Sequence, residues 1–256
     1  MKLKSNYGNL KLLSIDLSNF CSKGCGFCYN KSTAIGQTLW KPDEVISFAK
    51  SCAENGIEAV SLGGGKPFEY QGIFDIISAL QPIVYLSVTS NGLPLENTGI
   101  FEKLLNNQPD KIHLTIHFPN RDEEVKRVVK MLKTISSKTD IKVGVNLLVN
   151  SLQIDSCKKV YEMLTDGFLQ PEQIIIIPQR FANTPTPKML LDVSGGKPFQ
   201  SPSCLLRCHK PDNFCSVSWD KKVNFCSYAT GKQTLESLDY QGLINALDKV
   251  RFGSCM

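Results

Sequence analysis

No stretch of this 256-residue chain approaches the ~18 to 20 uninterrupted apolar residues that a membrane span requires. The opening segment, MKLKSNYGNLKLLSIDLSNF, has basic residues but neither a long apolar core nor a small-residue cleavage site. It therefore reads as mature protein, with a cytoplasmic location and no membrane partner expected. Basic runs are missing too. The 29 Lys+Arg against 24 Asp+Glu give a net charge of +5 that a solvated surface explains, so nucleic acid is not an expected partner. Histidine is scarce, with only His113, His117 and His209. There is no low-complexity tract, and 42% hydrophobic with 21% charged residues suit a globular chain able to bury a full core.

Cysteine, by contrast, is abundant: Cys21, Cys25, Cys28, Cys52, Cys157, Cys204, Cys208, Cys215, Cys226 and Cys255. A disulfide framework belongs to short secreted domains, and this chain is long and unsignalled. Three of the ten sit within eight residues near the start, and five fall in the last fifth or so, a clustering that favours metal binding. Cys52 and Cys157 fall inside predicted helices and read as small buried hydrophobes.

Apolar runs alternate with helical spacing along most of the length. Strands are predicted at 11–17, 59–62, 83–89, 111–117, 142–149 and 174–177, and helices at 43–55, 73–80, 100–106, 121–136 and 155–167. Repeats of strand then helix imply an α/β fold with a parallel sheet and right-handed crossovers. Such sheets gather chemistry at the C-terminal ends of their strands. The cysteine cluster follows the first strand, a glycine run the second, and Ser90-Asn91-Gly92 the third. The alternation stops near Arg180. Expected divisions are 1–180 for the barrel-like part, 181–203 for a Pro/Thr/Gly/Ser-rich linker, and 204–256 for a small cysteine-rich extension.

Cys21-Ser-Lys-Gly-Cys25-Gly-Phe-Cys28 is C-x3-C-x2-C on a loop. Three thiolates there can cap three irons of a cubane and leave the fourth iron open to an external chelating ligand. Zinc usually takes four protein ligands, and no fourth lies nearby.

This spacing, in the loop after strand one, resembles the hallmark of the radical S-adenosylmethionine (SAM) superfamily. The resemblance implies a partial (β/α)6 barrel, a [4Fe–4S] cluster on Cys21, Cys25 and Cys28, and SAM on the open iron. It extends to Phe27 before the third cysteine, where the family lines its adenine pocket. It extends also to Gly63-Gly64-Gly65-Lys66-Pro67, where the family carries Gly-Gly-Glu-Pro against the methionyl amino group. The SAM-pocket candidates it implies are Phe27, Gly64, Gly65, Pro67, Ser90, Asn91 and Asn146. Lys66 departs from the motif, because a lysine only donates and repels the ligand's ammonium. Altered SAM binding is one reading and tolerated drift the other. On the first, Lys66→Glu should tighten SAM.

In the tail, 214–218 and 223–226 read as a β-hairpin flanked by Cys215 and Cys226, with a helix predicted at 238–250. This is similar to the twitch or SPASM-type extensions of the superfamily. The similarity implies one auxiliary [4Fe–4S] cluster on Cys208, Cys215, Cys226 and Cys255, with Cys204 able to replace Cys208 or Cys255. A structural zinc site on the same thiolates is the alternative.

His117 and Arg180 are the candidate catalytic residues, as inward-facing polar groups near the ends of later strands; Thr115 and Tyr228 are further substrate contacts. The resemblance implies reductive cleavage of SAM to a 5′-deoxyadenosyl radical that abstracts hydrogen from substrate. The auxiliary-cluster tail points to a residue of a ribosomally made peptide as that substrate. The alternative is dehydrogenation or rearrangement of a small, sugar-like molecule, and the third reading is a non-enzymatic iron–sulfur protein. Expected partners are the substrate, an electron donor such as flavodoxin or ferredoxin, and a leader-peptide-binding protein in the peptide case.

Overall fold

The alternation read from the sequence folds as parallel strands joined through helices. The computed structural model describes residues 7–197, 199 and 208–253. It divides into two compact units. The first unites the chain up to Val88 with Asn106–Asp110 and the segment from Lys210 onward; the second takes Thr89–Leu105 and Lys111–His209.

In the first unit, β1 (Leu12–Asp16) pairs in parallel with β2 (Ala59–Gly63), and β2 with β3 (Tyr85–Ser90), whose last two residues open the second unit. On its other side β1 pairs, again in parallel, with β7 (Phe214–Val217). The antiparallel strands β8 (Lys222–Asn224) and β9 (Gln233–Thr234) follow. The cysteine-rich tail is therefore built into the sheet of the first strand. Strand side chains alternate between faces. Leu13 and Ile15 are in register with Val60 and Leu62, and all four are buried. Helix α1 (Pro42–Glu54) buries Val45, Phe48, Ala49 and Cys52 and packs on α2 (Ile73–Leu80) and α7 (Tyr240–Lys249). Each large apolar side chain so buried contributes roughly 1.5–3 kcal/mol.

Polar contacts fasten the tail as well. Trp40 Nε1 donates to the Ser218 carbonyl at 3.1 Å, and the Tyr240 amide to Ser51 Oγ at 3.1 Å. Lys221 Nζ meets Glu44 Oε2 at 2.9 Å, and Glu44 also accepts from the Lys41 amide at 2.9 Å. Partial burial pushes the Glu44 carboxyl up, but these bonds outweigh it and hold it below its ordinary value.

In the second unit, β4 (Lys111–Ile116), β5 (Lys142–Val149) and β6 (Ile174–Pro178) are parallel and adjacent in that order. Helix α4 (Asp122–Lys138) lays Val125, Val128, Leu132 and Ile135 toward β4 and β5. Its first turn is acidic and its last turn holds Lys138, as the helix dipole favours. Helices α3 (Thr98–Asn106) and α5 (Ile154–Thr165) complete the pattern.

The expected 181–203 linker holds a helix, α6 (Pro187–Val193). Thr186 Oγ1 accepts from the Met189 amide at 3.3 Å, and Pro187 sits at the first helical position. Those two residues are a helix start that reads in composition as linker. Among the described residues no helix is long and apolar enough to cross a membrane.

Candidate cluster site

Residues 17–40 leave β1 as a loop with no ladder to satisfy its backbone, so it satisfies itself. The Cys21 amide donates to the Thr33 carbonyl at 2.7 Å, Thr33 to Asn19 at 3.0 Å, and Asn19 to Gln37 at 3.0 Å. Asn30 Nδ2 donates to the Ser18 carbonyl at 2.8 Å. Turns close at Cys28 N–H to Cys25 O and at Lys31 N–H to Cys28 O, both 3.0 Å. The result is a short, internally braced platform carrying Cys21, buried, and Cys25 and Cys28, half-buried.

The glycine run after β2 lies against the chain leading into this platform. Gly65 donates its amide to the Ser18 carbonyl at 2.7 Å, and a Cβ at Gly65 would stand 1.9 Å from the Phe20 carbonyl oxygen. Gly64 has φ +98°, and a Cβ there would come within 2.6 Å of the Ser18 carbonyl oxygen. Both positions need glycine because backbone passes too close for any side chain. Pro67, next in the motif, is buried and opens a 3-10 turn, Pro67–Glu69.

Lys66 occupies the motif's departing position. Its side chain is only 2% exposed, with Nζ bonded to Ser22 Oγ in the cysteine loop and to Glu69 Oε1 at 3.0 Å. A buried ammonium is tolerable when paired and hydrogen-bonded, and this one is both.

Asp16, which sequence reasoning missed, ends β1 just before the loop. It is 2% exposed, and Tyr29, the residue after Cys28, donates its hydroxyl to Asp16 Oδ1 at 3.0 Å. Burial pushes the carboxyl up to about 6, against the opposing effects of the Tyr29 bond and the Lys232 charge. The Tyr29 phenol is raised well above its ordinary value by burial, then by Asp16 and Tyr228. Tyr29 and Tyr228 rings lie 4.8 Å apart. The only hint in the sequence was an acidic residue in a mostly apolar strand.

The second unit holds the remaining candidates. Ser90 and Asn91 are buried and serve their own turn: Ser90 Oγ accepts from Gly92 at 3.1 Å, Asn91 Oδ1 from Leu93 at 3.0 Å. Arg127 donates to the Asn91 carbonyl at 3.0 Å. Asn146 Oδ1 lies 3.0 Å from His113 Nδ1, and the buried His113 Nε2 has no hydrogen-bond partner. A Cβ on Gly144 would sit 2.4 Å from that nitrogen, so the glycine makes room for the ring. Burial, with the Lys111 charge, drives the His113 pKa down to about 4. His117 stands just past β4, its amide donating to Glu124 Oε1 at 2.7 Å and its ring Nδ1 3.8 Å from the same oxygen. Arg180 is buried, two residues beyond β6. Thr115 is half-buried on β4, in register with Asn146. Phe27 is half-buried on the cysteine platform.

The tail cysteines separate. Cys215, expected as a cluster ligand, is fully buried on β7, in register with Leu13 and beside Cys52 of α1. Burial first, then Cys52, pushes its thiol well above the ordinary range. Cys226 is half-buried and Cys208 exposed, while Cys204 and Cys255 lie outside the described residues. Cys52 and Cys157 are packed core thiols with pKa pushed up to about 12 by burial.

The N-terminal platform fits a cluster, with three thiols on one braced loop and backbone packed beneath it. Among the described residues no three Cys, His, Asp or Glu side chains already converge on a point. A bound cluster would draw the thiolates together.

A parallel α/β sheet whose first strand delivers three thiols onto a glycine-backed loop defines the class of iron–sulfur enzyme built around one open iron. The particular family follows from the sequence: the profile of the Radical SAM superfamily matches residues 15–148, just over half of the chain, and the chain belongs to that superfamily. Curated relatives carry the name GTP 3',8-cyclase. The Clostridium perfringens protein is 23% identical over 88% of this chain and 75% of its own length. The Methanocella arvoryzae protein, named a probable GTP 3',8-cyclase, is 29% identical over 45% of this chain and 38% of its own. The chain thus spans little more than a third of one relative and three quarters of the other.

Among solved structures, Streptococcus suis SuiB bound to S-adenosylmethionine superposes with TM-score 0.67 at 12% identity, covering 88% of this chain and 63% of that one. A polyhistidine-tagged anSMEcpe with bound AdoMet gives TM-score 0.65 at 17% identity, covering 94% and 81%. These likenesses show the fold, a partial (β/α)6 barrel. The peptide-maturase expectation is overturned: the curated relatives are named for a reaction of GTP, a small molecule, and the likeness to SuiB bound to its precursor peptide is one of fold, at 12% identity.

Proposed function

We propose that this chain is a radical SAM enzyme acting on a small molecule, with a purine nucleotide as the substrate to test first. The observation that carries the reading is the relationship to proteins named GTP 3',8-cyclase along most of the chain, joined to the braced three-cysteine platform. A bound cluster with SAM would supply one-electron radical chemistry for hydrogen abstraction from substrate. The chain's own work is to orient the ligand and keep water from the site. Cys21, Cys25 and Cys28 hold the cluster. Phe27, Pro67 and the Gly64–Gly65 backbone would border SAM; Ser90, Asn91 and Asn146 are kept as SAM contacts on the family resemblance alone. His117 and Arg180 remain substrate contacts in this reading, and a small electron-transfer protein delivers the electron.

A second, tail-borne cluster is proposed on sequence grounds. Its proposed ligands are Cys208, Cys215, Cys226 and Cys255, with Cys204 able to replace Cys208 or Cys255.

The test is anaerobic reconstitution with iron and sulfide, then dithionite, SAM and GTP, measuring 5′-deoxyadenosine and iron. Faster deoxyadenosine release with GTP supports the nucleotide reading, and equal release with and without GTP rejects it. About eight irons per chain supports two clusters. Four irons with one zinc makes the tail a zinc site.

A further inference from the structure

The superfamily motif that Gly63-Gly64-Gly65-Lys66-Pro67 resembles has a carboxylate where this chain has Lys66. We propose that Glu69 is the carboxylate that takes the ammonium end of SAM in this chain, and that Lys66 is the positioning residue that holds it there. The proposal rests on the reading that the cysteine platform binds cluster and SAM.

Three observations carry it. First, Lys66 caps the 3-10 turn Pro67–Glu69, with the Glu69 amide donating to the Lys66 carbonyl at 3.0 Å. In a 3-10 turn the side chains at i and i+3 eclipse, so the two point the same way. Second, the Lys66 ammonium bonds both Glu69 Oε1, at 3.0 Å, and Ser22 Oγ. Two contacts sharing one nitrogen place the Glu69 carboxylate within two hydrogen bonds of the residue beside Cys21. Third, the pair is unequally covered. The Lys66 side chain is 2% exposed, whereas Glu69 keeps 26% and uses one oxygen on the lysine. The cation is sealed in as a brace, and the anion faces outward with acceptor capacity to spare.

The carboxylate that the motif lacks at one position is thereby supplied three residues later, with the lysine fixing its direction. Lys66→Glu would then restore nothing. It would remove the brace to Ser22 and set two carboxylates at i and i+3, where like charges repel.

The experiment is calorimetric titration of SAM into the anaerobically reconstituted full chain, with iron counted in each preparation and the EPR signal of the reduced cluster recorded with and without SAM. Glu69→Gln should weaken SAM binding about tenfold or more at unchanged iron, the loss expected for one charged hydrogen bond. Lys66→Glu should weaken binding too. Lys66→Arg, which keeps a cation on Glu69, should retain most of the affinity and the SAM-induced change in the EPR signal, whereas Lys66→Met, which leaves Glu69 unbraced, should lose both. Glu69→Gln binding like the wild type at equal iron, or Lys66→Glu binding more tightly, would overturn the proposal and leave the SAM reading standing. A wild-type chain with its cluster in place that takes up no SAM would overturn both.

Discussion

Replacing Asp16 by Asn should make the protein more stable at neutral pH than at acid pH, relative to the wild type. Asp16 is 2% exposed, and burial raises its carboxyl from an ordinary 3.8 to about 6. A carboxyl that holds its proton more tightly when folded costs stability as pH rises. The cost is absent well below 3.8, grows through the window between 3.8 and about 6, and is complete above it. With each tenfold change in proton affinity equivalent to about 1.36 kcal/mol, the full cost is about 3 kcal/mol. Asn cannot ionise, and its amide oxygen can still accept from the Tyr29 hydroxyl that Asp16 Oδ1 accepts at 3.0 Å. Urea unfolding of the metal-free chain measures the difference between variant and wild type, at about pH 4 and about pH 7.5. That difference should move by about 2–3 kcal/mol in the variant's favour between those two conditions. A variant destabilised equally at both would show that Asp16 ionises at an ordinary pKa.

Gly65→Ala should abolish cluster uptake, measured as iron bound after reconstitution, because its Cβ would fall 1.9 Å from the Phe20 carbonyl oxygen and push the cysteine platform off the sheet. Cys215→Ala should lose about 1–2 kcal/mol on urea unfolding of the metal-free chain, the cost of emptying a packed thiol site. Cys28→Ala should lose the cluster with its SAM-dependent EPR change. His113, depressed to about 4, contributes stability that is present above its ordinary 6.5 and is lost as pH falls toward about 4. Its NMR ring signals should not shift between about pH 5 and 9, and His113→Asn should flatten the acid loss of stability, by up to about 3 kcal/mol.

The parallel strands and the cysteine platform were legible in the sequence because both are local patterns. Period-two runs such as Lys142–Val149 mark a strand. Cys21, Cys25 and Cys28 must share a loop whatever surrounds them. The glycine run was legible as a motif, yet part of its reason lay elsewhere, in the carbonyls of Ser18 and Phe20 that crowd Gly64 and Gly65. The linker reading missed α6 because Thr186-Pro187 can open a helix or a turn, and only packing of Leu190 and Val193 into the core decides between them.

What the sequence determined by itself was the strand–helix alternation, the three thiols and their glycine backing, since each is set by spacing along the chain. Tertiary structure alone decided three matters: that Cys215 faces Leu13 and Cys52, that Asp16 is sealed beneath Tyr29, and that Lys66 is neutralised by Glu69 and tied to Ser22. Burial and charge depend on neighbours brought in by pairing between distant segments, β7 against β1 above all, and no local pattern of residues encodes which face such a neighbour will cover.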